Sequence, residues 1–406
     1  MSRTWTVAAA RRSVILLASI VLSALPAAAA PRPRGFRPFL GATGLRAAGI
    51  SPARGVTIGP IENARHPNRG YGSPAYGRCL YELSQMGADW VSITPFGRLP
   101  DLRATAIDFS FEAPFADNQR AVLAAIRQAH ASGLRVLLVP HLWVESGEWR
   151  ALIDPGSDAG WRAFADSYRR FATAWAEIAE LGGADLFSVG VEQRSFVTTQ
   201  RAGLYREVIA SVRGAYHGPL TYSGNWDDID QTVILGDVDV IGINAFFPLA
   251  EKDGASFDAL LAGGRRVRDR VKGLADRWEK PVLFTEIGYT TRPDPAVKPW
   301  EWPDGMKDVV VDETAQADAY AALLAPLLDE PFFAGFFVWR VYADPDDTSQ
   351  EAPWGFSPRN KEAELVLRDA FAARWSSDPG VFLGDYVRRR GAVQPLLFDG
   401  PTRPPW

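Results

Sequence analysis

One cysteine in 406 residues, Cys79, excludes an internal disulfide and leaves no C-x-x-C pair for zinc or redox exchange. Histidine is nearly as scarce. His66, His130, His141 and His217 lack the i, i+4 or His-x-His spacing that gathers a metal, and H-E-x-x-H does not occur. The chain also lacks the G-x-S-x-G elbow of serine hydrolases and the G-x-G-x-x-G turn of dinucleotide sites. No cofactor and no metal are therefore expected, and the chemistry left open is that of carboxylates. Nor is there an excess of positive charge: 44 basic and 48 acidic residues are interspersed for a net charge of -4, so nucleic acid is not an expected partner.

The one long hydrophobic run lies at the N-terminus. Arg11 and Arg12 precede "SVILLASIVLSALP", and alanines at 27–30 close it, which is the layout of a secretory signal. The run is short of the roughly 20 apolar residues that a spanning helix needs. A signal peptide over 1–30 is expected, with the paired arginines compatible with a twin-arginine route, and the mature chain is expected to be secreted or periplasmic with no membrane attachment. The Pro-, Gly- and Arg-rich stretch 31–55 predicts a linker, and 375–406 predicts a C-terminal extension that packs across the outside or stays loose. With 47% hydrophobic residues and 12% aromatics, the part between, 56–374, can bury a core that needs no covalent staple.

Within 56–374, short β-branched apolar runs alternate with longer segments of helical period. The runs are "VTIG" at Val56, "WVSITPF" at Trp90, "RVLLVPHLW" at Arg135, "LFSVGVE" at Leu186, "LTYSG" at Leu220, "VDVIGINAFF" at Val238, "VLFTEIGY" at Val282 and "GFFVWRVY" at Gly335. Trp161, Phe164, Tyr168, Phe171, Trp175 and Ile178 mark one apolar helix face, and further helices are predicted over 118–131, 202–215, 256–278 and 313–328. The connection 227–235 leaves room for about two helical turns. Runs apolar on both faces fit parallel strands covered on both sides. Eight such units predict an α/β fold, a (β/α)₈ TIM barrel, in preference to a doubly wound open sheet.

In such a barrel the chemistry lies where strands end. The third strand leaves through His141, Trp143 and Glu145, the fourth through Glu192 and Gln193, the fifth through Asn225 and Trp226. The sixth leaves through Asn244, Phe246 and Phe247, the seventh through Glu286 and Tyr289, the eighth through Trp339 and Arg340. Two carboxylates on strands four and seven, among aromatic and amide side chains, resemble the arrangement that splits a glycosidic bond, because sugars offer C–H faces to stack and hydroxyls to bond. Simpler readings stand beside it. Glu286 could pair with Arg340, Glu192 with Arg194, His141 could cap a loop, and Trp143 and Trp226 could be ordinary packing.

The segments "SVGVEQ", "GINAFFPL", "FTEIGY" and "FFVWRVY" resemble the clan-A glycoside hydrolases, and "NAFFPL" followed by "TEIGY" is most similar to glycoside hydrolase family 113. The resemblance covers 56–374 and implies retaining hydrolysis of a β-linked polysaccharide, β-mannan foremost. It implies Glu192 as acid/base and Glu286 as nucleophile, roughly 5 to 5.5 Å apart across the mouth, with Trp339 beneath them. The substrate-binding set is His141, Trp143, Asn225, Trp226, Asn244, Tyr289 and Trp339. Two positions depart from the pattern: Val191 stands where clan-A enzymes commonly carry Asn, and Phe246 where they tend to carry Tyr. Either turnover is slowed or another residue, Asn244 or Tyr289, supplies the missing polar support, and apolar neighbours Val189 and Val191 predict that Glu192 is the carboxyl that holds its proton. The alternative is a catalytically silent carbohydrate-binding barrel. The sequence leaves the oligomeric state open.

Overall fold

The structure is a computed structural model that describes residues 52–59, 68–110 and 113–372. The leader expected over 1–30 and the extension expected over 375–406 lie outside the described residues.

All eight expected strands form, and they close into one parallel barrel. They are β1 (Ala53–Gly59), β2 (Trp90–Ile93), β4 (Arg135–Leu138), β6 (Leu186–Val191), β7 (Leu220–Asn225), β8 (Val240–Asn244), β9 (Val282–Ile287) and β10 (Phe333–Tyr342). Each pairs in parallel with its neighbours, and β10 returns to β1 in the register Ala53↔Gly335 through Gly59↔Tyr342, which leaves no open edge. Every residue of β6, β7, β8 and β9 is buried, as both-sided coverage requires. This is the (β/α)₈ architecture.

The helices are α1 (Pro74–Met86), α2 (Phe115–Ala131), α3 (Asp158–Gly182), α4 (Arg194–Val197), α5 (Ala202–Ala215), α6 (Phe257–Trp278), α7 (Glu313–Leu324) and α8 (Glu362–Ala372). The aromatic face of α3 is buried as its spacing predicts, and Ser157 caps it by accepting from the Gly160 amide at 3.0 Å. The connection between β7 and β8 holds two short 3₁₀ turns, Ile229–Gln231 and Leu235–Asp237. α1 was not anticipated, although its signals are local: Ser73 at the N-cap, Pro74 in the first turn and Gly87 at the end with φ +97°.

Two strands differ from expectation. Pro95 and Pro140 offer no amide hydrogen to the barrel ladder, and at each the chain leaves the barrel and starts a second short strand. These are β3 (Phe96–Leu99) and β5 (His141–Val144), paired parallel from Phe96↔His141 to Leu99↔Val144 above the barrel rim. The 31–55 stretch also differs at its end, since β1 begins at Ala53. Arg54 looks like linker in sequence, yet it forms a hydrogen-bonded ion pair with Asp89 at 2.9 Å, and Gly55 occupies a place where a Cβ would collide with the Phe337 ring.

Candidate active site

Glu192 follows directly on β6, and its backbone is left-handed, with φ +50°. A residue with a Cβ holds that conformation at a cost of about 1 to 3 kcal/mol, and such residues gather where a side chain must be aimed. The turn is fixed from two sides: the Glu192 amide donates to Ser223 O at 2.9 Å and the Gln193 amide to Tyr222 Oη at 2.7 Å. The carboxylate then accepts from two donors, Asn244 Nδ2 on Oε1 and Trp149 Nε1 on Oε2, both at 2.9 Å. Arg150 Nη1 stands 3.6 Å from Oε2.

Asn244 ends β8 and pairs in register with Glu286 of β9. Its Oδ1 accepts from Thr285 Oγ1 at 2.9 Å, which turns its Nδ2 toward the carboxylates. Its Nδ2 donates to Glu192, and its register pairing sets the same residue beside Glu286. Glu286 is 7% exposed. Burial, then the Glu192 carboxylate, raise its pKa well above the usual carboxylate range, while Arg150, Arg340 and Asn244 oppose the rise. The raised pKa, expected at Glu192, is found at Glu286. The valines flanking Glu192 do not set its surroundings; an indole, an amide and a guanidinium do.

His141 lies at the start of β5, buried, with Nε2 3.6 Å from Glu286 Oε1. Burial and the nearby Arg150 and Arg340 pull its pKa well below the ordinary value, so the ring is neutral. It stacks on Trp339 with centroids 6.1 Å apart and an interplanar angle of 25°. Both glutamates, Trp339, Trp226, Asn225 and Trp143 line one cavity of about 760 Å³ at the barrel mouth. Trp226 stacks on Trp300 at 5.2 Å, Asn225 Nδ2 donates to Asp227 at 2.6 Å, and Trp143 is 44% exposed beneath the Arg98 guanidinium.

Of the expected substrate contacts, His141, Asn244 and Tyr289 are outside the cavity lining; the first two reach the glutamates behind it, and Tyr289 does not. Gly288 lets the chain pass close to Phe246 and Trp339, and Tyr289 beyond it is buried edge-on against Tyr320 of α7, away from the cavity lining. Of the two substitutes for missing polar support, Asn244 is the one in place. Phe246 sits in the lining with Trp339 and Phe356, an apolar wall where a hydroxyl was expected by resemblance.

The simpler pairings do not form among the described residues. Arg340 donates to Tyr342 Oη at 2.8 Å and lies over the Trp302 and Trp339 rings, and Arg194 is bound by Asp227 and Asp228. Sequence reasoning missed Trp149, Arg150, Trp300, Trp302 and Phe356, which also line the cavity. Their signal was tryptophan in aperiodic segments, "GEWRAL" and "KPWEWP", where no helix or strand face needs one.

The model of Glycoside Hydrolase Family 113 matches residues 65–353, well over half of the chain. Among solved structures, the family 113 β-mannanase AaManA from Alicyclobacillus acidocaldarius is 25% identical with a TM-score of 0.69, the alignment covering 80% of this chain and 98% of that one. A second family 113 β-1,4-mannanase is 22% identical with a TM-score of 0.68 over 80% and 100% of the two chains. A family 5 mannosidase from Rhizomucor miehei, 11% identical with a TM-score of 0.55 over 80% and 93%, shares the fold. A comparison with curated protein sequences gave no match. A match of that extent, with two glutamates facing one barrel-mouth cavity, makes this chain a member of glycoside hydrolase family 113.

Proposed function

We propose that this protein is a retaining β-mannanase in which Glu286 is the nucleophile and Glu192 the acid/base. The observation that carries the reading is the pair itself: both carboxyls face one cavity, and Asn244, which donates to Glu192, is paired in register with Glu286. A retaining mechanism needs one proton on this pair before attack. In the reactive form that proton is on Glu192, which delivers it to the glycosidic oxygen while Glu286 attacks the anomeric carbon. Glu192, then ionised, takes a proton from the water that hydrolyses the glycosyl ester. Trp339, Trp226 and Trp300 offer aromatic faces to the C–H faces of successive sugars. β-Mannan as the substrate rests on the family and on the β-mannanase activity named for AaManA. Export of the mature chain rests on the signal-like sequence at 1–30, and N-terminal sequencing of protein from the culture medium or periplasm tests it.

Incubation with β-mannan, xylan and β-glucan oligosaccharides, with the first-formed anomer followed by NMR, tests the activity. Mannan should be cleaved with the β-anomer appearing first, and Glu192→Gln should reduce the rate by about 10² to 10⁴-fold. An α-anomer first means inversion. Intact oligosaccharides in all three assays would leave the silent carbohydrate-binding barrel, the reading favoured by Val191 and Phe246.

A further inference from the structure

The acid/base side chain is gripped by a residue that belongs to no barrel strand. Trp149 lies in the connection between β5 and α3, just before a single 3₁₀ turn over Arg150–Leu152, and no regular ladder holds it. Its indole N–H nevertheless donates to Glu192 Oε2 at 2.9 Å. The face of the same indole lies 4.7 Å from the Arg194 guanidinium. Arg194 is in turn fixed by Asp228 at 2.6 Å and by both oxygens of Asp227 at 2.6 Å. A further tie joins the same two segments, since Ser195 Oγ donates to Ile153 O at 2.6 Å. The contacts close a ring: Glu192 leads along the chain to Arg194, Arg194 stacks on Trp149, and Trp149 returns to the Glu192 carboxylate.

We propose that Trp149, clamped by Arg194, is the positioning residue for the acid/base Glu192, holding its carboxyl where it meets the leaving oxygen; this rests on the assignment of Glu192 under the proposed function. The physical reason lies in the freedom of the side chain. A glutamate at a chain turn has three rotatable bonds, and protonation of a leaving oxygen tolerates little displacement. Asn244 fixes Oε1 from β8, and Trp149 fixes Oε2 from the connection after β5. Val191 beside Glu192 offers no polar group, and the second anchor comes from that connection. An N–H donor on Oε2 is a better partner for the carboxylate than for the acid. Its removal weakens the hold on the ionised form, which is needed when Glu192 acts as base.

The test uses the full mature protein and Trp149→Phe, which keeps a ring for Arg194 to cover and deletes only the N–H. Mannohexaose needs a proton on its leaving oxygen, whereas 2,4-dinitrophenyl β-mannobioside has a leaving group that departs without one. For mannohexaose kcat/KM should fall roughly 10- to 100-fold, the span of one hydrogen bond to a charged group. For the dinitrophenyl substrate kcat/KM should fall much less. The basic limb of the mannohexaose profile should move to higher pH. Arg194→Gln, which leaves the indole but removes its clamp, should give the same pattern in weaker form and serves if Trp149→Phe does not fold. Equal losses on the two substrates with an unmoved pH limb, or no loss on either, would overturn the inference while leaving the proposed function standing. A wild-type protein that cleaves neither substrate sinks that function, and the inference with it.

Discussion

Burying Glu286 beside Glu192 destabilises the fold wherever both carboxyls would be ionised, and the sign of that cost follows from the raised pKa. The folded protein binds the Glu286 proton more tightly than the unfolded chain does. Its stability therefore declines as pH rises from the ordinary carboxylate range, about 4.3, through the raised folded value. Asp228, pushed up to about 6 chiefly by burial, acts with the same sign. Glu286→Gln keeps the shape and removes the ionisation, so the variant should be inactive yet more stable than the parent at pH 7. A Tm gain of about 2 to 4 °C is the response to about 1 kcal/mol in a large domain. The gain should shrink toward zero below about pH 4, where the parent carboxyl is neutral in both states. Thermal unfolding of both proteins from pH 3.5 to 8 measures it, and a gain that grows on acidification would contradict the assigned direction.

The elements divide between those that make the barrel and those that make the site. Gly190 belongs to both, two residues before Glu192 on β6, with Tyr168 of α3 and Tyr205 of α5 donating to Val189 O at 2.8 and 2.9 Å. A Cβ at position 190 would lie 2.7 Å from Tyr168 Oη and closer still to Tyr205 Oη. Gly190→Ala should therefore destabilise the protein by roughly 1 to 3 kcal/mol, the range for overpacking. It should also lower kcat more than it raises KM, because the displaced strand end is the one that aims Glu192. Urea unfolding and steady-state kinetics on one sample read both; an unchanged midpoint would mean the two tyrosines move aside freely. The barrel was legible in the sequence because β6, β8 and β9 need apolar residues on both faces, and so were the strand-end residues Glu192, Asn244, Glu286 and Trp339. The prolines at 95 and 140 were equally visible, but the departure of β3 and β5 from the barrel is a tertiary event that an apolar run does not announce. Trp149 and Arg150 carried only the weak signal of a tryptophan in an aperiodic segment, for a related reason: a connection has no period, and only the closed barrel brings "GEWR" over the end of β6.

At the scale of the whole molecule the first and last strands must meet, and the single thiol lies beside that seam. Cys79 of α1 is fully buried, with Sγ donating to Tyr342 O of β10 at 3.4 Å and Arg359 Nη2 at 3.5 Å on its other side. Burial, only partly offset by Arg359, pushes its pKa up to about 11, so it is a thiol at neutral pH and neither exposed nor nucleophilic. With no second cysteine in the chain, a reductant has no internal bond to break, and Tm should be the same with and without dithiothreitol. Alkylation then becomes a gauge of barrel closure. If β1 and β10 separate only when the whole barrel unfolds, iodoacetamide labelling of Cys79 in native buffer should be slow and should accelerate with urea in step with loss of tryptophan fluorescence signal. Labelling that is fast in the absence of denaturant, or that rises well before the global transition, would show that α1 lifts from the seam on its own and that the closure of β10 on β1 is not part of the cooperative unit.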